Sequence, residues 1–158
     1  MGTPEEANGQ PIRGRNNARF PVGPPVTGER LVRGLRELGV ELGETLLVHA
    51  SLRSIGWLAG GASTVVAALR EVVGAAGTLV VATGTEENSL TSRAHRARIA
   101  GMTPDEVRAY RLGMPGFDKD ATPSGMGAIA EALRTTDGAV RSAHPQSSFA
   151  AIGGCDDA

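Results

Sequence analysis

Apolar positions along the chain fall into short blocks whose spacing alternates between helical and strand periods. Leu31, Leu35 and Leu38 share one helical stripe behind Thr27, a good N-cap, and the pattern stops at Gly39, a residue suited to the position after a helix end. Beyond the turn Leu42-Gly43-Glu44, the run Thr45-Leu46-Leu47-Val48-His49 is short, apolar and partly β-branched, as a buried strand requires. Small residues dominate from Ala50 to Gly61. A second helix is predicted over Ala62 to Val73, with Val65, Val66, Leu69, Val72 and Val73 apolar and Ser63 or Thr64 as its cap. Gly74-Ala75-Ala76-Gly77 breaks it, and Thr78-Leu79-Val80-Val81-Ala82 reads as a second buried strand. Strand, helix and strand in this order predict a βαβ unit with parallel strands.

From Gly84 to Lys119 the pattern is less regular. An acidic start (Glu86, Glu87) is followed by a basic stretch (Arg93, His95, Arg96, Arg98) and then by Thr103-Pro104-Asp105-Glu106, a capping box that predicts a short helix towards Arg111. An insertion of this length between core elements is expected to line a site. Pro123-Ser124 is expected to open another helix carrying Met126, Ile129, Ala130 and Leu133, and Ser148 to Ile152 resembles a third strand. Residues 1–25 lack either period and are rich in Gly, Pro, Asn and Arg, so they are expected to form a disordered tail ahead of one ordered unit over 26–158. The fold class expected is α/β, with helices layered around a mostly parallel or mixed sheet.

Composition narrows the functional classes. A chain of 158 residues suffices for one domain, and 41% apolar with 21% charged residues is globular in character. Aromatic residues make up only 3%, too few for the stacking platforms of single-strand binders, and a net charge of −1 creates no field for phosphate backbones or anionic membranes. Nucleic acid and membrane are therefore not expected partners. The one cysteine, Cys155, rules out an internal disulfide framework and any multi-cysteine zinc site, and a cytoplasmic setting fits. The N-terminus lacks the apolar segment of a secretory signal.

The strongest local signal for chemistry is the loop Ser51 to Gly61 between strand and helix. Its glycines permit close backbone approach, and the following helix start favours an anion such as a phosphate. It matches neither a dinucleotide fingerprint nor a Walker loop. His49 stands at the carboxyl end of a predicted strand, where open α/β sheets bind ligands, or else is a hydrogen-bonded core residue. His95 lies among arginines and is expected at the solvated surface. His144, before Pro145, either aims at a site or shapes a turn. No histidine pair has metal-ligand spacing, so no metal is expected.

Two segments resemble the aminoglycoside 3-N-acetyltransferase family. The first is His49-Ala50-Ser51-Leu52-Arg53-Ser54-Ile55-Gly56-Trp57-Leu58-Ala59-Gly60-Gly61. The second runs from Met114-Pro115-Gly116-Phe117-Asp118 through Thr122-Pro123-Ser124-Gly125-Met126-Gly127-Ala128-Ile129-Ala130-Glu131 to Arg141-Ser142-Ala143-His144-Pro145 and Ser148-Phe149-Ala150-Ala151-Ile152-Gly153. The resemblance implies acetyl-coenzyme A as co-substrate, contacted by Ser51, Leu52, Ser54, Ile55, Gly60, Gly61, Met126 and Gly127. It also implies an aminoglycoside acceptor acetylated at its 3-amino group, and hence antibiotic resistance. Glu86, Glu87 and Asp118 are the carboxylates expected to receive this polycation. Ala50 replaces the family's second serine, and Arg53 replaces a small polar residue. The family's base motif, Thr-x-x-His-x-x-Glu, has no counterpart after Gly153, which leaves His144 as the catalytic candidate. The chain therefore resembles the amino-terminal portion of the enzyme. Little or no activity, with low solubility or self-association, is expected of this chain; the alternative is a catalytically silent remnant that at most binds coenzyme A.

Overall fold

The computed structural model describes residues 25–86 and 89–154. All but the last residue of the expected tail (1–24), together with Glu87 and Cys155, lies outside the described residues. Helix α1 (Gly28–Glu37) begins where Thr27 accepts a hydrogen bond from the Arg30 N–H, at 3.3 Å, through its side-chain oxygen. It ends in a Schellman turn: Gly39 has φ +89°, its N–H donates to Arg36 O, and the Val40 N–H donates to Leu35 O. Leu31 and Leu35 turn inward with Val32, but Leu38 is 82% exposed. It sits at the C-cap, where the chain leaves the helical stripe.

Strand β1 (Thr45–Val48) leads through the one-turn helix α2 (Leu52–Ile55) into α3 (Gly61–Val73) and then β2 (Thr78–Ala82). β1 and β2 pair in parallel, Leu46 opposite Leu79, as the βαβ pattern predicts. The cap of α3 differs from expectation. Gly60 occupies the N-cap, and the Thr64 hydroxyl donates instead to Ala59 O at 2.8 Å, so no side chain caps the first turn.

The segment between β2 and the next core helix contains α4 (Arg93–Ile99) and α5 (Pro104–Leu112), the latter opened by the anticipated capping box of Thr103 and Glu106. Core helix α6 (Ala128–Arg134) starts at Ala128, later than Pro123-Ser124 predicts, because Gly125 instead donates its N–H to Gly84 O and Gly127 adopts φ +100°. Then come β3 (Val140–Arg141) and β4 (Phe149–Gly153), giving a mixed sheet in the order β1-β2-β4-β3 with β4 antiparallel to both neighbours.

The core lies between one face of this sheet and the layer of α3 and α6. Leu79, Val81, Ala150 and Ile152 meet Val65, Leu69, Ile129 and Leu133, all at most 6% exposed. α1 packs outside α3 through Val32, Ala68 and Val72. Among the described residues no helix is long and apolar enough to cross a membrane.

Candidate coenzyme and acceptor site

At the carboxyl ends of β1 and β2, a narrow crevice is bounded by His49 and Ala50 on one side, Ala82 below, and Met126, Ile129 and Ala130 on the other. The two segments singled out in the sequence therefore meet at this point. His49 is exposed here, which settles its alternatives in favour of the strand-end position and against burial in the core. Ser51 is the N-cap of α2, so Leu52, Ser54 and Ile55 lie on the single turn leaving this crevice, along with the exposed Arg53. Gly60 and Gly61 open α3 with φ of +78° and +58°. A Cβ at Gly60 would meet Thr64 Oγ1 at 2.3 Å, whereas one at Gly61 or Gly127 would meet nothing within 4 Å. The open space at the last two positions, with an uncapped α3 terminus, leaves backbone N–H groups accessible to an anionic ligand.

A larger cavity of about 920 Å³ has Ser124 and Gly125 in its wall, and Met126 of the crevice follows them directly in the chain. It is enclosed by the insertion: Ala94 of α4, Ala109 and Tyr110 of α5, the Gly113–Gly116 turn, and the 121–125 loop. Glu86 and Asp118 both reach its wall. Asp118 already accepts the Asp120 N–H at 2.8 Å and the Ala121 N–H at 3.2 Å, and these two bonds, the first foremost, hold its carboxyl below the usual range.

Two polar clusters hold the floor of this cavity, and neither was anticipated from the sequence. Arg141 is only 8% exposed. Its Nε–H is shared by Thr83 Oγ1 at 3.2 Å and Ser148 Oγ at 3.0 Å, its Nη1 donates to Lys119 O and Thr122 O, and its Nη2 donates to Thr83 O at 2.5 Å. The guanidinium also lies 5.0 Å from the Phe117 ring centroid. Burial lowers its pKa, and the charge of Arg134 adds to that shift. The second cluster centres on Glu131, which accepts Arg134 Nε–H at 2.9 Å, Arg134 Nη2–H at 2.6 Å and the Ser124 N–H at 2.8 Å. Arg134 Nη1 completes the clasp on Asp120 O at 2.8 Å. Arg141 stood inside the quoted motif, but only the alternation of a two-residue strand, Val140 out and Arg141 in, could have marked it as buried.

The histidines separate. His144 is exposed and lines neither space. Its Nδ1 accepts the Ser147 N–H at 2.9 Å and the Gln146 N–H at 3.2 Å, which assigns the proton of the neutral ring to Nε2. Its loop is tied to the cavity wall where the Thr85 hydroxyl donates to Pro145 O. His95 is not a surface residue as expected; it is 1% exposed, its ring 5.9 Å from that of Tyr110. The helical period explains this: α4 turns Arg93, Arg96 and Arg98 to water and brings His95 inward beside Ile99.

A family model described as aminoglycoside 3-N-acetyltransferase matches residues 47–157. The chain is 41% identical over 134 residues to aminoglycoside N(3)-acetyltransferase VIII of Streptomyces fradiae, covering 84% of this chain and 45% of that protein. Among solved structures, AAC-VIa bound to sisomicin superposes with a TM-score of 0.64 at 39% identity, over 83% of this chain and 47% of the other. AAC-IIIb in a binary complex with CoASH gives 0.63 at 33% identity, over 81% and 46%. The chain thus spans about half the length of the curated relatives it matches.

Proposed function

This chain belongs to the aminoglycoside 3-N-acetyltransferase family, and on that premise we propose that it serves the transfer of an acetyl group from acetyl-coenzyme A to the 3-amino group of an aminoglycoside. The observation that carries this reading is the meeting of His49 and Ala50 with Met126 in one crevice, Met126 following directly on Ser124 and Gly125 in the wall of a cavity that also bears Glu86 and Asp118. A related protein has been solved with CoASH and another with sisomicin, so the family holds both ligands. Here Ser51, Leu52, Ser54 and Ile55 would flank the coenzyme's pantetheine arm, while Gly60, Gly61, Met126 and Gly127 would let it approach the backbone. Arg53 supplies positive charge for its phosphates.

In the reaction, the acceptor nitrogen forms a bond to the thioester carbonyl carbon, the C–S bond breaks, and coenzyme A leaves as the thiol or thiolate. An aminoglycoside amine is largely protonated in neutral water and must lose a proton before attack. His144, with Nδ1 occupied by two backbone N–H groups, presents Nε2–H. A ring protonated there is not suited to accept the amine's proton at Nε2, and His144 lines neither the crevice nor the cavity. Glu86 and Asp118, with Glu87 of the same segment, attract the polycation and orient its amines.

The test is titration calorimetry of the 158-residue chain with coenzyme A, followed by thiol release from acetyl-coenzyme A with a panel of aminoglycosides. Saturable coenzyme binding is expected, weakened about tenfold by Arg53→Glu, an exposed charge reversal that leaves the core untouched; about tenfold corresponds to roughly 1.4 kcal/mol. No saturation at millimolar coenzyme, or equal affinity for both proteins, would overturn the assignment of this loop. Coenzyme binding without turnover would favour the reading as a binding remnant, which the engaged Nδ1 of His144 also supports.

A further inference from the structure

The cavity of about 920 Å³ has charge of one sign and a single aromatic residue in its wall. Glu86 and Asp118 are the charged residues, and no Lys, Arg or His is among the described residues that line it. Both backbone N–H groups that bond to Asp118 reach Oδ1, at 2.8 and 3.2 Å, and leave Oδ2 out. A space lined in this way selects cations. The aromatic residue is Tyr110 of α5, and an aromatic face is an uncharged surface that itself attracts a cation, through its negative quadrupole. Tyr110 is half-buried, with the His95 ring 5.9 Å away and tilted by 47°. His95 is 1% exposed, and neither Nδ1 nor Nε2 has a hydrogen-bond partner among the described residues. Packing alone holds it, at a desolvation cost that an apolar ring of the same shape would not carry. It fills the interior beside Tyr110, so the phenol cannot sink into the protein and keeps its place in the cavity wall.

We propose that the ring face of Tyr110 receives an ammonium group of the acceptor, in the same cavity as the carboxylates of Glu86 and Asp118, and that His95 is the positioning residue that props the ring there. This rests on the reading of the cavity as the acceptor site and specifies what that site selects. An ammonium group on a sugar suits an aromatic face, because the C–H groups beside the nitrogen share its positive charge and lie against the same ring. The group must stay protonated to bind in this way, whereas the nitrogen that attacks the thioester must be neutral. The two are therefore different nitrogens. The acceptor class is one that carries at least one amine beyond the one acetylated, and Tyr110 sorts acceptors by that second amine.

Calorimetry of the 158-residue chain with sisomicin, the aminoglycoside bound to AAC-VIa, tests this. Tyr110→Phe should bind as the wild type does, and Tyr110→Leu, of comparable bulk but without a ring, should bind about fivefold more weakly. A trifluorinated phenylalanine at position 110 keeps the shape and withdraws charge from the ring face, and it should bind as weakly as leucine. His95→Ala should lose affinity and His95→Phe, which refills the space, should restore it. Proton NMR of the ligand reads the ring directly, whether or not His95→Ala folds: the C–H protons beside the engaged nitrogen should move upfield on binding the wild type and not on binding Tyr110→Leu. Saturable sisomicin binding that is indifferent to leucine or the fluorinated ring at position 110, or that His95→Phe does not support, would overturn the inference and leave the acceptor reading standing. No saturable binding by the wild-type chain would sink the acceptor reading and this inference with it.

Discussion

Removing the guanidinium of Arg141 tests whether that group fastens the cavity floor to the sheet. Arg141→Met keeps the length and apolar stem of the side chain and deletes every polar contact. The Thr83 and Ser148 hydroxyls would keep each other at 3.0 Å, and Thr83 O would keep the Ser148 hydroxyl at 2.9 Å. The loss therefore falls on Lys119 O, Thr122 O, the strong Nη2 bond to Thr83 O and the contact with Phe117. Hydrogen bonds from a charged donor contribute about 1.5–3 kcal/mol each. Against them stands the desolvation of a buried cation that no carboxylate among the described residues contacts directly, and part of the exposed 118–122 turn can rehydrate. The net expectation is about 3 kcal/mol of lost stability, a fall in Tm of about 6–12 °C for a chain of this size. Urea denaturation at constant m would measure it, and amide exchange should accelerate in 118–125 while α3 is unaffected. Arg141→Lys should do no better than Arg141→Met, because an ammonium cannot reach Thr83, Lys119 and Thr122 together. A midpoint for Arg141→Met within about 1 °C of wild type, or full rescue by lysine, would refute the fastening role.

Glu131 is held below the usual carboxyl range, first by the Arg134 guanidinium and then by the Ser124 N–H. Its contribution is therefore present above the unfolded carboxyl pKa of about 4.3 and is lost as pH falls through the lower folded value. Glu131→Gln should flatten the acid limb of Tm against pH, and superimposable limbs would contradict this. For His144, nitrogen NMR of the neutral ring should find the proton on Nε2; a proton on Nδ1 would mean that the Gln146 and Ser147 N–H bonds do not form. Gly60→Ala should destabilise more than Gly61→Ala in thermal melts: both glycines have positive φ, but only at Gly60 does the new Cβ strike Thr64 Oγ1. Equal losses would show that Thr64 moves aside at no cost. Thr103→Ala should lower stability by about 1 kcal/mol through loss of the capping box on α5, and an unchanged urea midpoint would argue against that cap.

What the sequence determined by itself is local or periodic. The α1 cap at Thr27, its Schellman end at Gly39 and the capping box at Thr103 each depend on residues within a few positions of one another, so the chain carries them wherever it folds. The parallel pairing of β1 and β2 follows from the apolar runs and the length of the helix between them. The approach of His49 to Met126 was implied only by the family resemblance, because contacts between distant segments leave no mark in spacing. Tertiary structure decided the rest. Gly84 draws Gly125 into a backbone bond and so delays α6 to Ala128. Packing of α4 against α5 overrides the polar surroundings of His95 and buries it beside Tyr110. Arg141 looks like a surface cation in sequence; it is buried because the one carbonyl of Thr83 and the two in the 119–122 turn converge where a short strand turns it inward. Which sheet face is left bare was also decided there, since α3 and α6 pack on the same side and period-two alternation cannot tell one side from the other.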